Sequence, residues 1–155
     1  VVLDNVRSLH NVGSVFRTSD AFRINEIYLC GITATPDNSL TEIHKTALGA
    51  EDSVKWEYYS NTIDVVEKLK MEGYTIVSVE QVEQSIKLDE FKADSSKHYA
   101  LILGNEVKGV QQEVVDISDI SLEIPQYGTK HSLNVSVSAG IVLWEFAKQL
   151  KNMLD

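Results

Sequence analysis

Three polar clusters in this chain stand where open α/β proteins bind ligands, each beside a short apolar run. The first is Asn5-Val-Arg-Ser-Leu-His-Asn-Val-Gly-Ser-Val-Phe-Arg17, in which Asn11, Ser14 and Arg17 recur at three-residue spacing and can share one helix face. Taken alone, that pattern also fits a helix cap followed by a solvated arginine. The second, Gly104-Asn105-Glu106, sets flexible backbone and a carboxylate at the end of the apolar run Tyr99 to Leu103, where a tight turn has the same composition. The third is Ile124-Pro-Gln-Tyr-Gly-Thr-Lys-His-Ser-Leu-Asn134, a polar loop feeding an apolar helix that opens with Ser132 and Asn134. Asn at such a point also serves as an N-cap.

Several other chemistries lack their residues. Gly104 to Gly109 has neither the Lys-Ser/Thr ending of a phosphate loop nor a dinucleotide fingerprint. There is no Gly-x-Ser-x-Gly elbow, and His10, His44, His98 and His131 show no metal-ligand spacing. Cys30, inside an apolar run, reads as core rather than nucleophile.

The elements that must position the clusters alternate. Val1 to Leu3, Ile27 to Cys30, Trp56 to Tyr59, Tyr74 to Val79, Tyr99 to Leu103 and Ile120 to Ile124 read as strands. Helices are expected from a cap at Asn11 or Ser14 through about Arg23, from Ser39 to Leu48, from Thr62 to Met71 and from Val110 to Val115. A long helix from Leu133 to Leu154 carries Val135, Val137, Ile141, Val142, Leu143, Trp144, Phe146 and Leu150. This order predicts an α/β fold, a mostly parallel sheet flanked by helices. One sheet face cannot cover so wide an apolar helix, which points to a subunit interface.

At 155 residues and 43% hydrophobic the chain makes one domain, 1–155, with a core of its own. One cysteine excludes an internal disulfide framework. No apolar run approaches a membrane span and no signal peptide opens the chain, so a cytoplasmic protein is expected. Val1 sits at the start of a strand, which leads us to expect a missing native N-terminal segment. The formal net charge of −9 argues against binding nucleic acid through bulk electrostatics, with eleven acids against five bases in residues 51–96.

Four ordered motifs, together spanning almost the whole chain, resemble the SpoU (TrmH-like) RNA 2′-O-ribose methyltransferases of the SPOUT superfamily. They are the Asn-x-Gly-x-x-x-Arg-Thr stretch Asn11 to Thr18, Lys45-Thr-Ala-Leu-Gly-Ala50, Leu103-Gly-Asn-Glu-x-x-Gly109, and Ile124-Pro followed by Ser132-Leu-Asn-Val-Ser136. The resemblance implies an α/β fold with a deep C-terminal trefoil knot, contrary to the general rule that chains avoid knots. It also implies a homodimer through the apolar C-terminal helix region, S-adenosylmethionine as cofactor, and tRNA or rRNA, not DNA, as partner.

By the same resemblance the catalytic residues are Arg17, Asn11, Glu106, Ser132 and Asn134. The cofactor lies against Val79, Leu103, Gly104, Asn105, Ile124, Gln126 and Leu133. Arg7, His10, Lys45, Lys108 and Lys130, with His131, are the expected RNA contacts. Making a guanidinium neutral at pH 7 costs roughly 8 to 9 kcal/mol, so Arg17 is expected to stay charged, grip the phosphate beside the target ribose and stabilise the developing alkoxide. Glu106 is expected to orient rather than deprotonate. The alternatives are a catalytically idle RNA-binding relative and a dimeric scaffold built on the last helix.

Overall fold

A computed structural model of the chain describes residues 1–130 and 132–151. Its strands are β1 (Val2–Asp4), β2 (Ile27–Cys30), β3 (Trp56–Tyr59), β4 (Tyr74–Val79), β5 (Ile86–Lys87), β6 (His98–Leu103) and β7 (Ile120–Glu123). Its helices are α1 (Leu9–Ala21), α2 (Pro36–Ala47), α3 (Ala50–Ser53), α4 (Thr62–Met71), α5 (Gln112–Ile117) and α6 (Val135–Leu150). The strands form one sheet in the order β3-β2-β1-β6-β4-β7-β5, and every pairing is parallel.

Strands buried on both faces need uninterrupted apolar runs, which is why Ile27–Cys30 is buried at all four positions. The period-two alternation then sorts the core. Leu3, Ile27, Leu29 and Leu103 point into a cluster with α1, α2 and α6, while Val2, Tyr28, Cys30 and Ile102 point into one with α4 and α5. A third cluster seats Val142, Leu143 and Phe146 of α6 on Val77, Leu101 and Leu122. Cys30 is core as expected, and burial pushes its thiol up to about 12.

Several boundaries differ from the sequence reading for local reasons. Helix α1 starts at Leu9, capped by Ser8, whose hydroxyl accepts from the Asn11 amide at 3.2 Å; neither Asn11 nor Ser14 is the cap. Helix α2 starts at Pro36 after the capping box Thr35/Asn38, and the expected start at Ser39 is instead a kink (φ −145°). Helix α5 begins at Gln112 rather than Val110, because the amides of Val110 and Gln111 are taken by Glu80 and Asp4. Helix α6 begins at Val135, so Leu133 precedes it, and Asn152 to Leu154 lie outside the described residues. Strand β5 and helix α3 were not foreseen.

Strand β1 continues to β2 on one side and neighbours β6 on the other. The chain direction across the sheet reverses there, the kind of switch point beyond whose strand ends ligands bind in open α/β sheets.

Candidate active site

The end of β1 is held by a buried acidic side chain. Asp4 is fully buried and accepts from the Thr62 hydroxyl (2.6 Å), the Asn5 side-chain amide (3.2 Å), and the Gln111 side chain (2.6 Å) and backbone amide (2.8 Å). These bonds tie the starts of α4 and α5 to the sheet. Asn5 follows in the left-handed region (φ 56°), and its carbonyl accepts from the Asn105 side chain at 2.8 Å.

The loop after β6 closes on itself. Asn105 and Gly109 exchange two backbone hydrogen bonds (3.0 and 2.9 Å), while the Asn105 side-chain oxygen accepts from the Val107 and Lys108 amides. Gly109 has φ 71°, and a Cβ there would stand 2.1 Å from Glu80 Oε2. Glu80, immediately after β4, braces the same loop by accepting from the Val110 amide at 3.0 Å.

This loop delivers Glu106 to the start of α1. Its carboxylate accepts from the backbone amides of Arg7 (3.0 Å) and Ser8 (2.9 Å) and from the Asn11 side chain (3.2 Å). Burial raises the Glu106 pKa, but the Arg7, Ser8 and Asn11 donors outweigh it and hold the group below the ordinary carboxylate range. Asn11 passes the chain on: its Oδ1 accepts from Asn134 Nδ2 at 3.2 Å. Asn134 is both the N-cap of α6, accepting from the Ser136 and Val137 amides, and the link from α6 to α1.

All seven expected cofactor residues, Val79, Leu103, Gly104, Asn105, Ile124, Gln126 and Leu133, line one cavity of about 220 Å³ at the carboxyl ends of β4, β6 and β7. Glu106, Ser132 and Lys108 line it too. Its wall mixes apolar side chains (Val79, Leu103, Ile124, Leu133) with polar ones, and among the described residues Glu80, Glu106 and Glu123 outnumber the cation Lys108, so the cavity suits a ligand with an apolar part, hydrogen-bonding groups and positive charge. Glu80 and Glu123 were missed in the sequence; Glu80 directly follows β4 and Glu123 is the last residue of β7, so a charge at the carboxyl end of an apolar strand was the available signal.

The catalytic candidates separate into two groups. Asn11, Glu106 and Asn134 are in contact and Ser132 lines the cavity, whereas Arg17 lies outside its lining. Three-residue spacing lags the 3.6-residue turn, so the series rotates away from the core: Asn11 is buried, Ser14 half-buried and Arg17 exposed. Arg7, His10 and Lys130 are exposed outside the cavity, and His10 stands 3.4 Å from Glu42. Lys45 pairs with the same Glu42 at 2.7 Å. His131 lies outside the described residues.

In the Lys45-to-Ala50 motif, Thr46, Ala47 and Ala50 pack against the core and α1. The Thr46 hydroxyl donates to the His10 carbonyl at 2.8 Å, and α1 crosses so close that a Cβ on Gly13 would meet Ile43 O at 2.3 Å. Ala47 and Ala50 are in the core.

The profile of the SpoU rRNA Methylase family matches residues 1–144. The chain is 34% identical over 155 residues to a tRNA (guanosine(18)-2′-O)-methyltransferase of Aquifex aeolicus, covering 96% of this chain and 68% of the relative. It is 31% identical to a 23S rRNA (guanosine-2′-O-)-methyltransferase of Neisseria meningitidis, covering 98% of this chain but only 60% of the relative. Among solved structures, the A. aeolicus TrmH/SpoU tRNA modifying enzyme superposes with a TM-score of 0.85 at 32% identity, over 98% of this chain and 75% of that one. An AdoMet-bound rRNA methyltransferase from Sinorhizobium meliloti gives 0.86 at 29% identity, over 96% and 55%.

Proposed function

The chain belongs to the SpoU rRNA methylase family, and from that premise we propose that it is a single catalytic domain transferring a methyl group from S-adenosylmethionine to a ribose 2′-hydroxyl of tRNA or rRNA. The observation that carries this reading is the cavity at the ends of β4, β6 and β7, with the Glu106–Asn11–Asn134 chain on its rim. The names of the relatives and the AdoMet-bound neighbour support it.

The residues present fit the cofactor. Val79, Leu103, Ile124 and Leu133 offer apolar walls to an adenine ring, and Glu80, Glu106 and Glu123 offset the charge of a sulfonium. When bound, S-adenosylmethionine supplies an electrophilic methyl group, and displacement at that carbon disperses charge, so positioning and desolvation supply most of the rate. Glu106 is ionised and its lone pairs already serve three donors, so it orients α1 and Asn11 rather than taking a proton. The Arg17 guanidinium binds the phosphate beside the target ribose and stabilises the developing alkoxide, while the 2′-hydroxyl proton leaves late or through that phosphate. Arg7, His10, Lys45, Lys108 and Lys130 contact further phosphates.

A second copy of the chain covers the stripe Val137, Ile141 and Trp144, which are 49%, 38% and 56% exposed along one side of α6. The C-terminal part of the chain forms a deep trefoil knot, as the SPOUT resemblance implies, and the enzyme works in the cytoplasm with its RNA.

Transfer of a labelled methyl group to tRNA or rRNA tests the reading. Label is expected in RNA and absent when the accepting ribose is 2′-deoxy; label retained in the deoxy substrate would refute ribose methylation.

A further inference from the structure

Asn5 separates the cofactor cavity from a second one. Its carbonyl holds Asn105 on one side, and on the other its side-chain oxygen accepts from the Ile32 amide at 3.0 Å. Beyond Ile32 lies a cavity of about 490 Å³ past the carboxyl end of β2 and along one face of β3, walled by Gly31, Ile32, Asp37, Asn38, Trp56 and Tyr58. Trp56 and Tyr58 are two residues apart on the edge strand, so they share one face. Tyr58 is 47% exposed, and its hydroxyl donates to the Gly31 carbonyl at 2.7 Å, which fixes the ring in place.

The charge of this cavity decides what enters. Among the described residues its wall carries the carboxylate of Asp37 and no Lys or Arg. A phosphate is therefore disfavoured, and a flat uncharged ring that stacks on an aromatic face is favoured. A carboxylate selects an edge with adjacent donors. Guanine offers N1–H and the N2 amino group together, whereas adenine and uracil each place an acceptor beside the donor.

Position points the same way. The nearest strands of the two cavities, β2 and β6, are two places apart in the sheet, about 10 Å at roughly 4.8 Å per strand, and their middles are three or more places apart, about 15 Å, so an unstacked nucleotide close to the target in a single-stranded RNA reaches the second cavity. We propose that the cavity between β2 and α2 is a nucleobase subsite, taking an unpaired guanine close to the methylated ribose. This rests on the proposed RNA methyltransferase reading and adds to it a source of sequence preference.

The chain's two tryptophans make the test direct. Trp56 lines the cavity, and Trp144 on α6 packs beside Phe22 with ring centroids 5.9 Å apart. The indole N–H resonances are followed by NMR while the single-stranded RNA UpGpGpU is added, with UpApApU and inorganic phosphate as comparisons. UpGpGpU is expected to shift Trp56 saturably and leave Trp144 in place, UpApApU to bind more weakly, and phosphate to shift neither. Tyr58→Leu should weaken UpGpGpU by about ten-fold, the size of one lost base stack, whereas Tyr58→Phe, which keeps the ring, should stay close to the parent. Asp37→Asn should erase the preference for UpGpGpU over UpApApU. An unmoved Trp56, an equal shift with phosphate, or an unchanged affinity in Tyr58→Leu would overturn the proposal.

These readouts need neither cofactor nor turnover, so their failure is separate from failure of the methyltransferase reading. In methyl transfer, an abasic residue beside the target should raise KM for the parent and change Tyr58→Leu little; equal increases in both would also overturn it.

Discussion

Replacing Glu106 by Gln tests the joint on which the site is built. One carboxylate oxygen serves Ser8 N and Asn11 Nδ2, and the other serves Arg7 N. A Gln side chain keeps its carbonyl for the first pair but turns an amino group toward Arg7 N, leaving two donors face to face and removing the charge from the remaining bonds. Losing one charge-assisted bond and opposing the donors costs about 2 kcal/mol, which for a chain of this size lowers Tm by roughly 4–8 °C. The sign of the pH dependence follows from the depressed Glu106 pKa. The stabilisation is fully present above the unfolded value of about 4.3 and is lost as pH falls through the lower folded value. Urea unfolding of both proteins from pH 7 to 3.5 should therefore show a constant gap down to about pH 4.3 and a shrinking one below. A gap that stays constant across that range, or no gap at pH 7, would refute the assignment of an ionised, triply bonded Glu106.

Gly13→Ala puts a methyl group 2.3 Å from a backbone carbonyl, so the α1–α2 crossing must open, at about 1–3 kcal/mol in urea unfolding. Asp4→Asn cannot satisfy all four donors in a fully buried position, and a loss of about 3 kcal/mol is expected in the same assay. Trp144→Glu places a charge in the exposed stripe of α6, and light scattering should give the mass of one chain where the parent gives two.

How far the sequence reveals this molecule depends on whether a residue's role is local. Ile27–Cys30, Trp56–Tyr59, Tyr74–Val79 and Thr62–Met71 lie at the boundaries read from the sequence, since apolar runs and helical period are local properties. Strand β5 is two exposed residues, too short to carry a period, and α3 is a single turn after Gly49. The start of α1 was misplaced because Asn11, which looks like a cap, spends its side chain on Glu106, 95 residues away. Glu106, Asn11 and Asn134 were legible as a set through their motifs, though not that they form one hydrogen-bonded chain. Asp4 and Glu80 went unnoticed, each a lone charge closing an apolar strand, and their partners Gln111 and Val110 are distant in sequence. The rotation of Arg17 out to solvent followed from helical geometry and was lost in reading three-residue spacing as a shared face.

The central claim is that the cavity bounded by Val79, Leu103, Glu106 and Leu133 holds S-adenosylmethionine, and calorimetric titration of the purified chain with that compound and its demethylated product tests it most directly. Saturable binding near one ligand per chain, weakened in Gly109→Ala where the new Cβ collides with Glu80, is the expected result. A folded chain that binds neither compound would contradict the account.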